Sequence, residues 1–177
     1  MRVRATLPVL FLLLSAVAVG TLGADDKKEQ PKASAKHAGL EKFKQLAGEW
    51  EGKNAAEAKE FRVKYKVTAG GSAVVETIFP DSEHEMMTVI HQDGDDLMLT
   101  HYCMLGNQPR MKAEAPGESD TIAFKFTGVS NLKSPDDMHM HDVSYTFVDK
   151  DTLKAEWTHY NKGKDTGKVT FELKRKK

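Results

Sequence analysis

Two short stretches of the sequence place side chains that bind metals or act as nucleophiles two residues apart. His101 and Cys103 lie in LMLTHYCMLGNQPRM, which contains the only cysteine of the chain, and His139 and His141 lie in MHMHD. Residues i and i+2 of a β-strand point to the same face. Each pair is therefore compatible with a metal site, a haem site, a reactive centre or a packed interior.

A metal site is one hypothesis for these histidines. His101, His141 and His159 all lie on predicted strands, and three imidazoles facing one cavity would form an open, catalytic-type zinc site. The alternation of MHMHDVSYTFV places His139 and His141 in phase with the apolar positions that follow. This phase predicts that both histidines face inward, with Met140 outward. Hydrogen-bonded interior or solvent-exposed histidines are the simpler alternative.

A nucleophilic or redox role for Cys103 is the second hypothesis. A reactive thiol needs access and a lowered pKa, but side chains at i and i+2 are about 7 Å apart at the backbone. A buried free cysteine more often acts as a small hydrophobic side chain. The sequence contains no nucleophile elbow, P-loop or dinucleotide fingerprint. We therefore predict no catalytic residues.

The amino terminus predicts export. Arg2 and Arg4 form a basic region, residues 7–19 are largely apolar, small residues follow, and charge begins at Asp25. This order is typical of a secretory signal peptide, here residues 1–23. The apolar run is shorter than the about 20 residues that a membrane helix needs. We expect a secreted or periplasmic protein with no transmembrane segment after signal removal.

The remainder predicts a polar linker at residues 24–38 and one domain at residues 39–177. Basic and acidic residues balance at 26 each, whereas broad nucleic-acid binding requires a strongly basic surface. Nucleic acid is therefore not an expected partner. A single cysteine cannot form an internal disulfide, so the domain must be stabilised by its own apolar core.

The hydrophobic pattern predicts about ten short antiparallel strands after one short helix at residues 39–47. EFRVKYKV at residues 60–67 alternates between apolar and basic side chains, as a strand with one buried face does. Gly70-Gly71 and Asp93-Gly94 are hairpin signals. No βαβ period appears, so we predict an all-β, closed antiparallel barrel, because closure removes exposed strand edges. A β-sandwich is the alternative.

The segment GEWEG at residues 48–52, after the short helix, resembles the opening of lipocalin-like (calycin) barrels. The resemblance implies that Trp50 closes one barrel end. The predicted number of strands, ten, resembles that of the fatty-acid-binding and nitrobindin-like branches more than that of the eight-stranded lipocalins. The segment at residues 71–111 resembles a group of exported bacterial barrels without an assigned activity. Nitrobindin-like barrels bind haem and carry a longer glycine-rich run after the Trp, where this sequence has KNAA. His159 is a late histidine of the kind that holds haem in them.

The best functional hypothesis from the sequence is a non-enzymatic binder of a small apolar or amphipathic molecule. A barrel of this size can enclose a cavity for one such ligand. Strand alternation predicts five contacts for it: Tyr65, His101, His141, Trp157 and His159. We expect no cofactor. A metal- or haem-binding barrel, enzymatic or not, and a structural or interaction module with a filled core are the alternatives.

Overall fold

The computed structural model describes residues 37–54, 60–115 and 120–177. The predicted signal peptide and all but the end of the predicted linker lie outside these ranges. No helix in the described ranges is long and apolar enough to cross a membrane. Because the signal peptide lies outside the described ranges, export stays a prediction.

Ten antiparallel strands form one closed barrel in which β1 pairs with both β2 and β10, and consecutive strands are neighbours throughout. The predicted all-β barrel with a preceding helix is confirmed. The elements are α1 (Ala38–Lys44), β1 (Gly48–Asn54), β2 (Glu60–Thr68), β3 (Ala73–Ile78), β4 (Met86–Asp93), β5 (Asp96–Tyr102), β6 (Gln108–Ala113), β7 (Thr121–Ser130), β8 (His139–Asp149), β9 (Thr152–Asn161) and β10 (Lys164–Arg175).

The strands follow the alternation of the sequence. In β2, Val63 and Tyr65 are buried while the lysines between and after them are exposed. Tight turns join several neighbours, and Gly94 adopts a φ of 58° in the β4–β5 turn, a conformation that glycine accepts without a steric penalty. The predicted hairpin at Asp93-Gly94 is confirmed, with Asp93 paired to Asp96.

Helix α1 covers one end of the barrel, which we call the helix end. Its apolar side chains Leu40 and Phe43, and Leu46 just beyond it, are 0–4% exposed. The Phe43 ring lies 5.1 Å from the Tyr145 ring in an edge-on contact. The opposite end, which we call the loop end, carries the strand connections at residues 79–85, 103–107, 131–138 and 162–163.

Trp50 and Arg175 close the helix end between the first and last strands. Trp50 is fully buried, and its indole N–H donates to the Leu46 carbonyl at 2.8 Å. The Arg175 guanidinium lies 4.4 Å from the Trp50 ring centroid and donates to the carbonyls of Gln45 and Ala47. These contacts join the helix, β1 and β10 at one place.

Candidate functional site

A buried carboxyl group occupies the middle of the barrel. Glu76 on β3 is 2% exposed, and its two oxygens accept hydrogen bonds from the Tyr65 hydroxyl at 2.6 Å and the Tyr145 hydroxyl at 2.9 Å. The Thr88 hydroxyl also donates to this carboxyl, and it lies 3.0 Å from Nδ1 of His101. Because Thr88 gives its proton to Glu76, His101 donates through Nδ1–H and keeps Nε2 as an acceptor.

Burial sets the charge of this polar layer. Loss of water raises the pKa of Glu76, although the hydrogen bonds from the two tyrosines and Thr88 oppose that shift. Burial lowers the pKa of His101 to about 4, so its imidazole is neutral at pH 7. Burial also raises the pKa of Tyr65 and of Tyr145 well above their usual value, with the Glu76 charge adding to the effect.

Contacts across the barrel fill this level of the interior. The His101 ring on β5 lies 4.7 Å from the Trp157 ring on β9, although three strands separate these two in the sheet. Trp157 is 1% exposed, and its indole N–H is buried without a hydrogen-bond partner among the described residues. Such an unpaired donor costs about 1–3 kcal/mol. The Trp157 indole N–H is thus the unsatisfied polar group of this layer.

Partly buried apolar side chains lie between this layer and the loop end. Trp157 is followed on its inward row by His159, which is partly exposed and pairs with Met140 on β8. The inward-facing, partly exposed apolar residues that pack on the core at this end are Phe61, Phe79, Met86, Met140 and Val169. Partly exposed apolar side chains thus lie on the loop-end side of the Trp157 level.

The structure brings together three of the five predicted contact residues, Tyr65, His101 and Trp157, within one interior layer of hydrogen bonds and ring contacts. His159 stands one position further along the Trp157 row, near the loop end. His141 lies elsewhere, in a separate aromatic cluster.

A β-bulge explains the different position of His141. The β8–β9 register shifts between Met140 and Val143, so two β8 residues oppose one β9 residue and the alternation changes phase. Met140 packs against the core, and His139 pairs with Tyr160 on the row opposite to Trp157. The prediction that His139 and His141 keep the inward face of the later β8 positions, with Met140 outward, is therefore wrong.

The His141 ring is held between two aromatic rings. It stacks on Phe126 at 4.3 Å and on Tyr160 at 4.2 Å, with interplanar angles of 18° and 16°. Backbone pairing of β7 with β8 ends at Phe124 and Val143. Beyond that point the Asp142 carboxylate accepts the Phe126 N–H at 3.0 Å in place of a ladder hydrogen bond. This aromatic cluster therefore occupies a gap in the sheet.

The three predicted metal ligands do not converge. Within the described ranges, no group of three or more His, Cys, Asp or Glu side chains is arranged to hold a metal ion. His101 contacts Trp157, whereas His141 contacts Phe126 and Tyr160. The metal hypothesis as the sequence suggested it, with His101, His141 and His159 as one ligand set, is not supported.

A haem group also does not fit the residues around His159. Haem needs a flat slot beside a ligating imidazole. The next inward residue of the row, Trp157, and its partner Val143 are 1% and 2% exposed, so no open slot of the width of a haem lies on the inner side of His159.

Cys103 is not paired with His101. Strand β5 ends at Tyr102, and Cys103 begins the turn that follows, with its N–H donating to the Asn107 carbonyl. The thiol is partly buried, and burial raises its pKa. A raised pKa reduces the thiolate fraction, which makes the thiol a poorer nucleophile.

Sequence reasoning missed Glu76 and Thr88. A signal for Glu76 was present, because in SAVVETIF this acid alternates with Val74 and Ile78, two residues that the same pattern turns inward. A carboxyl group on an apolar row predicts a buried acid that needs hydrogen-bond partners. The partners come from β2, β4 and β8, so the pattern of one strand does not identify them.

Comparisons with known proteins identify the fold alone. No protein-family model matches the sequence, and no curated protein matches it. Among solved structures, the crystal structure of Rv2717c from M. tuberculosis is similar, with a TM-score of 0.54 and 15% sequence identity. The similarity covers 81% of this chain and 100% of that chain. It supports a barrel fold.

Proposed function

We propose that this protein is an exported, non-enzymatic barrel of the lipocalin-like (calycin) type that binds one small amphipathic molecule through its loop end. The ligand's polar atom reaches the unpaired indole N–H of Trp157, and its apolar part lies among the partly buried residues above. The Gly-x-Trp opening, with Trp50 buried at the helix end of a closed barrel, supports the lipocalin-like assignment.

The unpaired indole N–H of Trp157 carries this proposal. It is a buried donor beside a neutral imidazole, at the level where the tightly packed interior gives way to partly exposed apolar side chains. A ligand acceptor that pairs with it recovers the about 1–3 kcal/mol that the unsatisfied donor costs. Burial of the ligand's apolar part adds about 25 cal/mol for each Å² removed from water.

The charge of the layer selects a neutral ligand. The buried polar and charged side chains of the described residues include no lysine or arginine, and His101 is neutral at pH 7. A ligand carboxylate would therefore lose its water without gaining a cation, and it would approach the Glu76 carboxyl. The oxygen of an alcohol or a ketone accepts the hydrogen bond from the indole N–H without the cost of desolvating a charge.

Displacement of Nile red, a neutral solvatochromic dye, by 1-decanol and by decanoate tests the proposal. We expect 1-decanol to displace the dye saturably at pH 7 and decanoate to do so at least tenfold more weakly. Trp157→Phe removes the indole N–H and should weaken the binding of 1-decanol. Trp50→Phe is the matched control, because its N–H is already paired at the helix end. Equal affinities in the two variants would reject Trp157 as the contact.

A structural or interaction module with a filled core is the second candidate, because specific observations favour it. The interior side chains at the Glu76 level are 0–2% exposed. Large apolar side chains are also exposed around the β5–β6 turn. Met87 pairs with Tyr102 there, and Met104 and Leu105 follow Tyr102 in the chain. Failure of every neutral amphipathic probe to bind saturably would favour this candidate.

A further inference from the structure

His139 and His141 place two ring nitrogens close together, away from the interior layer. Nε2 of His139 lies 3.3 Å from Nδ1 of His141. Two imidazole nitrogens that each lie about 2.0–2.1 Å from a tetrahedral ion are separated by about 3.3–3.4 Å. The observed separation equals the bite of a tetrahedral zinc site.

The backbone fixes the tautomer of His139. Its Nδ1 lies 2.9 Å from the Asp137 carbonyl oxygen, which accepts but cannot donate, so Nδ1 carries the hydrogen. Nε2 of the neutral ring then carries the lone pair, 3.3 Å from Nδ1 of His141. A ligating histidine typically donates its other N–H to such a carbonyl, which orients the ring and raises its basicity.

The loop before His139 is itself held in place. The Asp137 carboxylate accepts the backbone N–H groups of Lys133 and Ser134 at 2.8 and 3.0 Å, and the Asn107 side chain donates to the Met138 carbonyl at 2.9 Å. His139 is 4% exposed, and stacking on both faces fixes the plane of the His141 ring. The pair is therefore held rigidly before any ligand binds.

His141 also provides access from solvent. It lines an open cleft of about 250 Å³ together with Asp142, Asp165, Lys125 and Lys168. Asp142 accepts from Lys125, and Lys168 donates to Glu156, so both cations are neutralised by carboxylates. The two lysines of this cleft thus do not exclude a cation from the side of His141.

We propose that His139 and His141 form a two-histidine site for a divalent transition-metal ion with tetrahedral preference, Zn²⁺ above all, with water in the remaining positions. Without metal, the His141 Nδ1–H donates to the His139 lone pair. Binding moves that hydrogen to Nε2 of His141, so both facing nitrogens bind the ion and no net proton is released. This site is independent of the ligand site at the loop end.

Titration of the purified, metal-free protein with ZnCl₂ alone tests the proposal. We expect one ion per chain by isothermal titration calorimetry and at least tenfold weaker binding in His141→Ala. His84→Ala is the matched control, because His84 is an exposed histidine in the 79–85 connection. Its removal should leave the affinity unchanged.

Two spectra keep the test decisive even where a variant folds poorly. Co²⁺ as a substitute should give the intense visible bands of a tetrahedral site in the unaltered protein. Zn²⁺ should shift the ring-proton NMR signals of His139 and His141 and leave those of His101 in place. Absence of saturable binding, binding that survives His141→Ala, or equal loss in His84→Ala would each overturn the proposal.

Discussion

Glu76 and His101 are the buried acid and the buried imidazole of the barrel interior, and a single threonine links them. Burial moves the pKa of each group toward its neutral form, upward for the acid and to about 4 for the imidazole. Their contributions to stability therefore depend on pH in opposite directions. Each has its own test.

His101 should make the protein sensitive to acid. Its pKa falls from 6.5 to about 4, so the unfolded chain binds more protons than the folded one in that window. At 1.36 kcal/mol for each pKa unit, about 3 kcal/mol of stability is present above pH 6.5 and lost as the pH falls to 4. His101→Gln keeps a hydrogen-bond partner for Thr88 and does not titrate.

Urea unfolding at pH 7 and pH 4 measures this effect. The free energy of unfolding should fall on acidification by about 3 kcal/mol less in His101→Gln than in the unaltered protein. His84→Gln, at an exposed position, should behave like the unaltered protein. The same acid loss in all three proteins would show that His101 is not the responsible group.

Glu76 should act in the opposite direction. Because its pKa is raised above 4.5 in the folded protein, its contribution is fully present below pH 4.5 and is lost as the pH rises through the raised pKa. Glu76→Gln has the same shape and no charge. The stability of this variant relative to the unaltered protein should therefore increase with pH above 4.5.

Denaturant unfolding across pH 4 to 8 follows this difference, with the exposed Glu172→Gln as control. A difference that stays constant with pH would mean that burial does not shift the Glu76 pKa.

At the residue scale, strand alternation predicted that Tyr65, His101 and Trp157 belong to the interior. It could not predict the partner of the Tyr65 hydroxyl, because Glu76 reaches it from a different strand.

Elements are positioned by pairing between strands, and β8 shows where a pattern based on period two fails. The inserted residue between Met140 and Val143 reverses the phase of the strand, and the Asp142 carboxylate satisfies a β7 N–H that has lost its ladder partner. This bulge depends on a side chain that replaces the lost backbone hydrogen bond, and the hydrophobic pattern does not show such a replacement. The strand was therefore predictable, and the face of its first three residues was not.

At Gly52, β1 lies close to the side chains of its neighbouring strands. A Cβ there would lie 2.6 Å from Cδ2 of Leu173 and 2.6 Å from Cζ of Phe61. The Phe61 ring is itself packed against Phe171 and Phe79, at 4.9 and 5.1 Å, so it cannot move away freely. Gly52→Ala should destabilise the protein by about 1–3 kcal/mol through overpacking.

Guanidinium chloride unfolding checks this cost. Glu51→Ala, the exposed neighbour on the same strand, should cost under about 0.5 kcal/mol, because exposed ion pairs and surface substitutions contribute little. If Gly52→Ala were as stable as Glu51→Ala, the contact among β1, Leu173 and Phe61 would not be tight.

At the scale of the whole molecule, closure of the barrel was the most predictable property. Ten short strands with hairpin signals and no crossover helices have few other ways to avoid exposed edges, and the register shows β1 paired with β10. The sequence could also place Trp50 at the entrance to β1. The residue that covers Trp50 could not be predicted. Arg175 is distant from Trp50 in sequence, and it lies in KRKK at residues 174–177, a run typical of a solvated basic terminus.

Arg175 should therefore contribute to closure far more than an exposed basic tail would. Its guanidinium donates to the carbonyls of Gln45 and Ala47, at 2.7 and 3.0 Å, and covers the Trp50 ring. Arg175→Ala removes these interactions, and we expect a loss of about 2 kcal/mol in stability. Arg175→Lys should recover little of this, since an ammonium group lacks the planar fork that reaches two carbonyls at once.

The location of the change separates this role from a general effect of charge. Hydrogen exchange should accelerate at the α1 and β1 amides of the Arg175→Ala protein and stay unchanged at the loop end. Trp50 emission should shift to longer wavelength as water reaches the ring. Lys177→Ala, two residues further along an exposed terminus, removes the same charge and should change neither signal. Equal effects of both variants would show that the helix end is closed without the arginine.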